Sequence, residues 1–145
     1  MTERLDMPDE AFRSRAGEIW DAVPEKWGKR IDNVVLLIED EPSEDTRKEE
    51  HLGEHETLLG LYHGIPESER GGEYGVGGTL PDTITLFRTP ILEEATEFMH
   101  ERNLKNPEEA IREAIRETLW HELGHHFGLH EEEVRTRERG GTNRF

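Results

Sequence analysis

The chain has 145 residues, with 34 acidic against 18 basic side chains and a formal net charge of −16. This length fits one domain, and the charge argues against binding to nucleic acid or an anionic membrane, which are themselves negative. Cysteine is absent, which excludes disulfides, thiolate nucleophiles and cysteine-ligated zinc. The first residues lack a basic-then-apolar leader and no apolar run approaches about 18 residues, so we expect a cytoplasmic protein.

The first predicted elements are a helix and a strand. Pro8 suits the first turn of a helix, and Pro24 marks its end. Between them, five apolar residues recur at helical spacing: Phe12, Ala16, Ile19, Trp20 and Val23. Residues 33–39 (NVVLLIE) form a continuous apolar run, which predicts a strand covered on both faces.

The middle of the chain predicts two loops and a second strand. The acidic residues 40–56 predict a solvated loop with a short helical piece near 47–52. Residues 57–63 (TLLGLYH) predict a strand. Eight glycine and proline residues lie in 64–81, and we interpret this long loop as functional or mobile.

The third predicted strand, Asp82–Arg88, carries the substrate hypothesis. Its threonines alternate with Ile84 and Leu86, and polar side chains on one face are typical of an edge strand. We therefore expect an extended peptide substrate to pair with this edge. The side chains expected to contact the substrate are Thr83, Thr85 and Phe87.

Two helices are predicted in the second half of the chain. Pro90 ends the third strand, and apolar spacing predicts a helix from Ile91 to about Arg102. Asn106 and Pro107 are typical of a helix N-cap and first turn, so a longer helix begins there. Its expected buried positions are Ile111, Ala114, Ile115, Thr118 and Leu119.

The motif HExxH lies in the second half of that longer helix. His121 and His125 are one turn apart and project from the same face, a spacing at which two imidazoles can bind one zinc ion. Glu122 lies beside them as a candidate general base. Zinc would lower the pKa of a bound water to about 7, and Glu122 would move the proton to the leaving amine.

A catalytic zinc site needs a third protein ligand. Gly128 can end the helix in the left-handed conformation, which would let the chain turn and bring Glu131 back to the metal. His130 is the alternative third ligand if the turn differs. An inverted motif, HxxEH, spans 51–55, but its charged and glycine-interrupted context argues against a second zinc site.

The run from His121 to Glu131 (HELGHHFGLHE) resembles the long zinc motif of the metzincins, although Glu131 stands where those proteins usually have a histidine. It is more similar to the minimal zincin-like metallopeptidases of bacteria, which carry HExxHHFG followed by acidic residues. The similarity extends upstream to 32–42 (DNVVLLIEDEP), 58–64 (LLGLYHG) and 74–88 (YGVGGTLPDTITLFR).

This resemblance implies a minimal zincin-like fold of the α+β class, with an N-terminal helix, a small mixed and twisted sheet and the motif helix. We expect a single domain over 1–145, with a flexible tail over 135–145. The resemblance also implies that the larger C-terminal subdomain of ordinary zincins is absent, so we expect a shallow cleft and weak or selective activity. The family's two metal-binding histidines correspond to His121 and His125. Its acidic third ligand corresponds to Glu131, and its catalytic glutamate corresponds to Glu122.

The sequence therefore predicts a zinc-dependent hydrolase, a metallopeptidase that cleaves peptide or protein substrates with Glu122 as general base. No comparable cradle for glycosidic or phosphoryl substrates is evident. The donor that would stabilise the oxyanion is left open among Tyr62, His63 and Tyr74. Two alternatives also remain, a non-catalytic zinc-binding module and an inactive structural or interaction protein.

Overall fold

The computed structural model describes residues 4–23, 33–64 and 81–126, which form an α+β fold. The helices are α1 (Asp9–Asp21), α2 (Glu44–Glu49), α3 (Arg88–Glu101) and α4 (Pro107–His126). The strands are β1 (Val34–Glu39), β2 (Gly60–His63) and β3 (Asp82–Phe87). Among these described helices, none combines the length and apolar character needed to cross a bilayer. The predicted fold class is confirmed.

The three strands form one mixed sheet with β3 at its centre. β1 pairs with β3 in parallel and β2 pairs with it antiparallel, so the order is β1-β3-β2. Leu36 and Tyr62 both lie opposite Ile84, one on each side. Residues that are paired in this way share a face of the sheet, so all three side chains point toward the same layer of helices.

The predicted edge position of Asp82–Arg88 is wrong, because β3 has a hydrogen-bonded neighbour on both sides. Thr85 is 8% exposed and Phe87 is 1% exposed, so the threonine face is packed. Threonine is β-branched and suits a half-buried pleated surface, so its polarity alone does not mark an edge. The backbone of Thr83, Thr85 and Phe87 is engaged within the sheet and offers no free edge to a substrate.

β1 lies at one side of the three described strands and has one exposed face, so the prediction that both its faces are covered is also wrong. Val35 and Leu37 are 41% and 43% exposed, whereas Leu36 and Ile38 pack against the core. A short apolar run does not distinguish a strand with one covered face from a strand with two. The outcome depends on the core, which packs against the face of β1 that carries Leu36 and Ile38.

The core lies between one face of the sheet and the helices α1, α3 and α4. Ile84 and Leu86 from β3 are fully buried there, as are Phe12 from α1 and Ile91 from α3. The positions predicted to be buried in α4 are all buried, namely Ile111, Ala114, Ile115, Thr118 and Leu119. Because α4 contacts β2, β3, α1 and α3, its side chains are held by packing on several sides.

The ends of the two long helices follow local rules. The Asn106 side-chain oxygen accepts a hydrogen bond from the Glu108 amide at 2.9 Å, which confirms the predicted cap of α4. α3 begins at Arg88, three residues before the predicted start at Ile91, and contains Pro90 in its first turn. Proline fits there because an amide in the first turn has no acceptor within the helix. β3 therefore passes directly into α3.

The acidic segment after β1 also departs slightly from its prediction. The helical piece expected near 47–52 lies at Glu44–Glu49 as α2. Its N-cap is Ser43, whose hydroxyl oxygen accepts a hydrogen bond from the Thr46 amide at 3.1 Å. A serine cap of this kind satisfies one of the free amides of the first turn, and it fixes where this short helix begins.

Arg88 links three separate parts of the fold. Its side chain is 19% exposed and forms an ion pair with Asp40 at 2.9 Å, just after β1. It also donates a hydrogen bond to the Met7 carbonyl at 2.7 Å, ahead of α1. The hydrogen bond to Asp40 is the main reason that the pKa of Arg88 is raised. One side chain thus joins the N-terminal segment, the end of β1 and the start of α3.

Candidate metal centre

α4 brings His121, Glu122 and His125 together. One potential ligand atom from each residue lies within 4.8 Å of the other two. The two imidazole rings have centroids 5.2 Å apart and are inclined at 69°. Residues four positions apart lie on the same face of a helix, which accounts for the juxtaposition of the histidines. The helix geometry predicted from the motif is therefore present.

The burial of these side chains is uneven. Glu122 is 7% exposed, whereas His121 and His125 are partly exposed. A carboxylate in a packed interior is costly unless a charged or polar group compensates it. Because the two imidazoles are partly exposed and the carboxylate is buried, a cation can reach these three side chains from the solvent side of the histidines.

These side chains fit zinc by donor type and by spacing. Two nitrogens that share a tetrahedral zinc ion, each about 2.0–2.1 Å from it, are about 3.4 Å apart, which is inside the observed 4.8 Å limit. Within residues 4–23, 33–64 and 81–126, this is the one group of three such side chains that could hold a metal. Glu131 and His130 lie outside the described residues, so the third ligand stays a prediction.

β2 packs directly on α4 beside the carboxylate. A Cβ added at Gly60 would lie 2.8 Å from Thr118 Cγ2, 3.1 Å from the Thr85 carbonyl oxygen and 3.2 Å from Glu122 Cγ. The Thr118 hydroxyl in turn donates to the Ala114 carbonyl at 2.8 Å. Only glycine allows this approach of the strand to the helix. The sequence does hold a signal for it, since a glycine inside a strand pattern often marks a close contact.

A cleft of about 380 Å³ opens beside His121 and Glu122. Its walls come from residues 57–60, from α3 and from α4. Sequence reasoning missed this cleft, because three elements that are distant along the chain form it. Beyond the motif, the side chains that give it its character are the apolar Leu58, Leu59 and Phe98 and the charged Glu94, Arg102 and Glu117.

Arg102 is compensated within the cleft. Its guanidinium donates two hydrogen bonds to Glu117, at 2.6 Å and 3.1 Å, and lies 3.8 Å from a carboxylate oxygen of Glu113. Its central carbon is 3.7 Å from the centre of the Phe98 ring, within the range of a cation–π contact. The hydrogen bond to Glu117 is the main reason that the pKa of Arg102 is raised.

Glu94 differs from the other charged side chains of the cleft. It is partly buried, and burial is the largest cause of its raised pKa, followed by the nearby carboxylates of Glu97, Glu101 and Glu117. Arg102 acts in the opposite direction and only partly offsets these effects. The negative charge of Glu94 is thus held in unfavourable surroundings.

The remaining candidate side chains are dispersed. The Tyr62 hydroxyl donates to Asp82 at 2.5 Å, and His63 is exposed at the end of β2. His51 and His55 of the inverted motif are both exposed and join no metal-binding group in the described part of the chain. Tyr74, the rest of the glycine-rich loop at 65–80 and the predicted tail lie outside the described residues.

The three side chains lie on one helix that packs against a small mixed sheet, and one of them is a buried carboxylate. This arrangement is that of a candidate metal centre. The model of one protein family, described as zincin-like metallopeptidase, matches residues 31–141. The chain belongs to this zincin-like metallopeptidase family, as the resemblance of its motif implies. The matched residues include all three strands of the sheet and the whole of α4.

Other comparisons add little to this assignment. No curated protein matches the chain. Among solved structures, it is similar to a conserved hypothetical protein from T. thermophilus, with 26% sequence identity and a TM-score of 0.47. That similarity covers 90% of this chain and 99% of the other. The function must therefore be argued from the site itself.

Proposed function

We propose that this protein is a zinc-dependent metallopeptidase that cleaves peptide or protein substrates. One observation carries the proposal. The ligand atoms of His121, Glu122 and His125 lie within 4.8 Å of one another, and the first two of these residues line an open cleft. Family membership supports the same class of chemistry.

Each residue of the motif has a distinct role in this proposal. His121 and His125 hold zinc through one imidazole nitrogen each, and Glu131 is the third ligand expected from the sequence. When bound, zinc polarises the scissile carbonyl and makes a water molecule more acidic. Glu122 accepts a proton from the attacking water and delivers it to the amine that leaves as the C–N bond breaks.

The packing of Glu122 suits a general base. Its Cγ would lie only 3.2 Å from a Cβ on Gly60, so strand β2 limits where its side chain can move. A catalytic side chain that is held by its neighbours spends less free energy on reaching the reactive geometry. The histidines, which are more exposed, remain open to the substrate.

We place an extended substrate along β2. Within the described residues β2 pairs with β3 on one side, and we place the peptide as an added strand along its other side. Gly60 of β2 lines the same cleft as Glu122, so this strand passes the candidate metal centre. The hypothesis of pairing on a strand edge is thus retained, with β2 in place of β3.

A cleavage assay with a single substitution tests the proposal. Zinc-loaded wild type and Glu122→Gln are incubated with a peptide library, and products are identified by mass spectrometry. We expect cleavage by the wild type and a loss of about 10²–10⁴-fold in the variant, the usual contribution of general acid–base catalysis. Glu109→Gln, an exposed position on the same helix, is the matched control and should retain full activity.

The outcomes are distinct. Equal cleavage by the wild type and Glu122→Gln would refute the role of Glu122 and point to a contaminating peptidase. A wild type that holds zinc but cleaves no peptide would refute the catalytic proposal and favour a non-catalytic zinc-binding module. Zinc content is measured in every sample, so that a loss of metal is not mistaken for a loss of chemistry.

A further inference from the structure

The cleft beside His121 and Glu122 suits a long side chain with an apolar stem. Leu58 and Phe98 contribute apolar walls, and about 380 Å³ is within the usual range of ligand sites. Arginine and lysine bury their aliphatic stems against such walls and keep the charged end near polar groups. The shape of the cleft thus admits a basic side chain as readily as an apolar one.

The charges of the cleft distinguish between these occupants. The guanidinium of Arg102 is already engaged by Glu117, so it has little capacity for an incoming carboxylate. Glu94 forms no ion pair or hydrogen bond with any other residue in the described part of the chain. An acidic side chain in the cleft would be repelled by Glu94, whereas a cation would relieve the repulsion among the carboxylates.

We propose that the cleft binds the arginine or lysine side chain of a substrate residue next to the scissile bond, with Glu94 as the specificity-determining residue. This inference rests on the peptidase activity proposed above. The apolar stem contacts Phe98 and Leu58, and the cationic end pairs with Glu94. The cleft adjoins His121 and Glu122, so the bound residue lies close to the bond that is cleaved.

Matched peptides test the inference through the rate of cleavage. Each set differs at one position beside the scissile bond, which carries arginine, norleucine or glutamate. We expect kcat/KM to be about tenfold higher for arginine than for norleucine, on the scale of one charge-assisted hydrogen bond, and lowest for glutamate. Glu94→Gln should bring the ratio of kcat/KM for arginine to kcat/KM for norleucine close to one.

A control variant separates Glu94 from the general acidity of the protein. Glu97→Gln removes the same charge from an exposed position of α3 that does not line the cleft. It should keep most of the preference for arginine. An equal loss of preference in Glu94→Gln and Glu97→Gln would overturn the assignment, because the effect would then come from the overall field.

A binding measurement keeps this inference separable from the catalytic proposal. The arginine and norleucine peptides are titrated into zinc-loaded Glu122→Gln, with and without Glu94→Gln, so that no turnover is required. Tighter binding of arginine that is lost with Glu94→Gln supports the basic pocket even if no peptide is cleaved. Equal affinity for the two peptides overturns the basic pocket, whether or not the wild type proves to be a peptidase.

Discussion

The contact at Gly60 gives the sharpest structural prediction. In Gly60→Ala the new methyl group would lie 2.8 Å from Thr118 Cγ2 and 3.1 Å from a backbone carbonyl oxygen of β3. Ordinary contacts between such atoms are about 3.5–4.0 Å, so strand and helix must separate by several tenths of an ångström. Because Glu122 Cγ lies 3.2 Å away, the carboxylate must move as well.

The expected cost can be bounded. Overpacking of a well-packed interior by one methyl group typically costs about 1–3 kcal/mol. The higher strand propensity of alanine returns about 0.5–1 kcal/mol, which bounds the net loss between about 0 and 2.5 kcal/mol. Because the new methyl group meets both a side chain and a backbone oxygen, we expect a loss of about 1–2 kcal/mol. At about 2–4 °C per kcal/mol for a chain of this size, the midpoint of thermal unfolding should fall by about 2–8 °C. The proposed peptidase activity should fall further, since Glu122, the proposed general base, is displaced.

Chemical denaturation measures the loss, and two other variants control it. Gly17→Ala makes the same substitution on α1, where an added Cβ meets nothing within 4 Å, and it should stabilise the protein by about 0.5–1 kcal/mol. Thr118→Ser removes the methyl group that the new Cβ meets and keeps the hydroxyl that donates to Ala114. The double variant Gly60→Ala/Thr118→Ser should therefore recover part of the loss.

The same variants show what would refute the reasoning. If Gly60→Ala is as stable as the wild type, then β2 does not pack on α4 at the distance described. If the losses of the two single variants simply add in the double variant, the clash with Thr118 is not the cause. Either result would remove the basis for placing Glu122 against β2.

Two further predictions concern charged side chains. The pKa of Glu94 in the folded protein is raised above the ordinary 4.5, so its ionised form destabilises the fold. This destabilisation develops as the pH rises through and above 4.5, and it is absent at lower pH, where the carboxyl group is protonated. Urea unfolding should thus show Glu94→Gln to be more stable than the wild type at pH 7, by no more than about 1 kcal/mol for a partly exposed charge, and equal to it at pH 3; a constant difference at both pH values would contradict this cause. Arg88→Met should cost about 1–3 kcal/mol in the same assay, because the Met7 carbonyl and Asp40 lose a charged donor. Arg4→Met, which removes an exposed ion pair with Glu93, should cost less than about 1 kcal/mol.

The parts of the fold that depend on local sequence could be predicted. The cap at Asn106 and the apolar spacing predict α4, and both features are present. The motif predicts its two histidines on one face, and their ligand atoms do lie together. Each of these features is decided within a few residues of the same chain segment, so tertiary packing had no opportunity to override it.

Apart from shifts of a few residues in helix boundaries, the errors concern strand positions, covered faces and distant contacts. The central position of β3 depends on which strands become neighbours, and the open face of β1 depends on which face packs against the core. Neither strand carries that information in its own residues. Thr85 is buried although its polarity suggested an edge. The cleft with Glu94 is assembled from α3, α4 and the residues before β2, so its charge pattern could not be derived before the packing was known.

Zinc binding by the two histidines is the claim on which the rest depends, and a metal titration tests it most directly. The wild type, His121→Ala, His125→Ala and the exposed control His100→Ala are titrated with zinc against a competing chelator. We predict one tightly bound zinc ion per chain in the wild type and in His100→Ala. In His121→Ala and His125→Ala the zinc affinity should fall by more than about 100-fold, which exceeds the usual effect of substituting a residue that only hydrogen-bonds to a metal ligand. Equal zinc affinity in all four proteins would contradict the account.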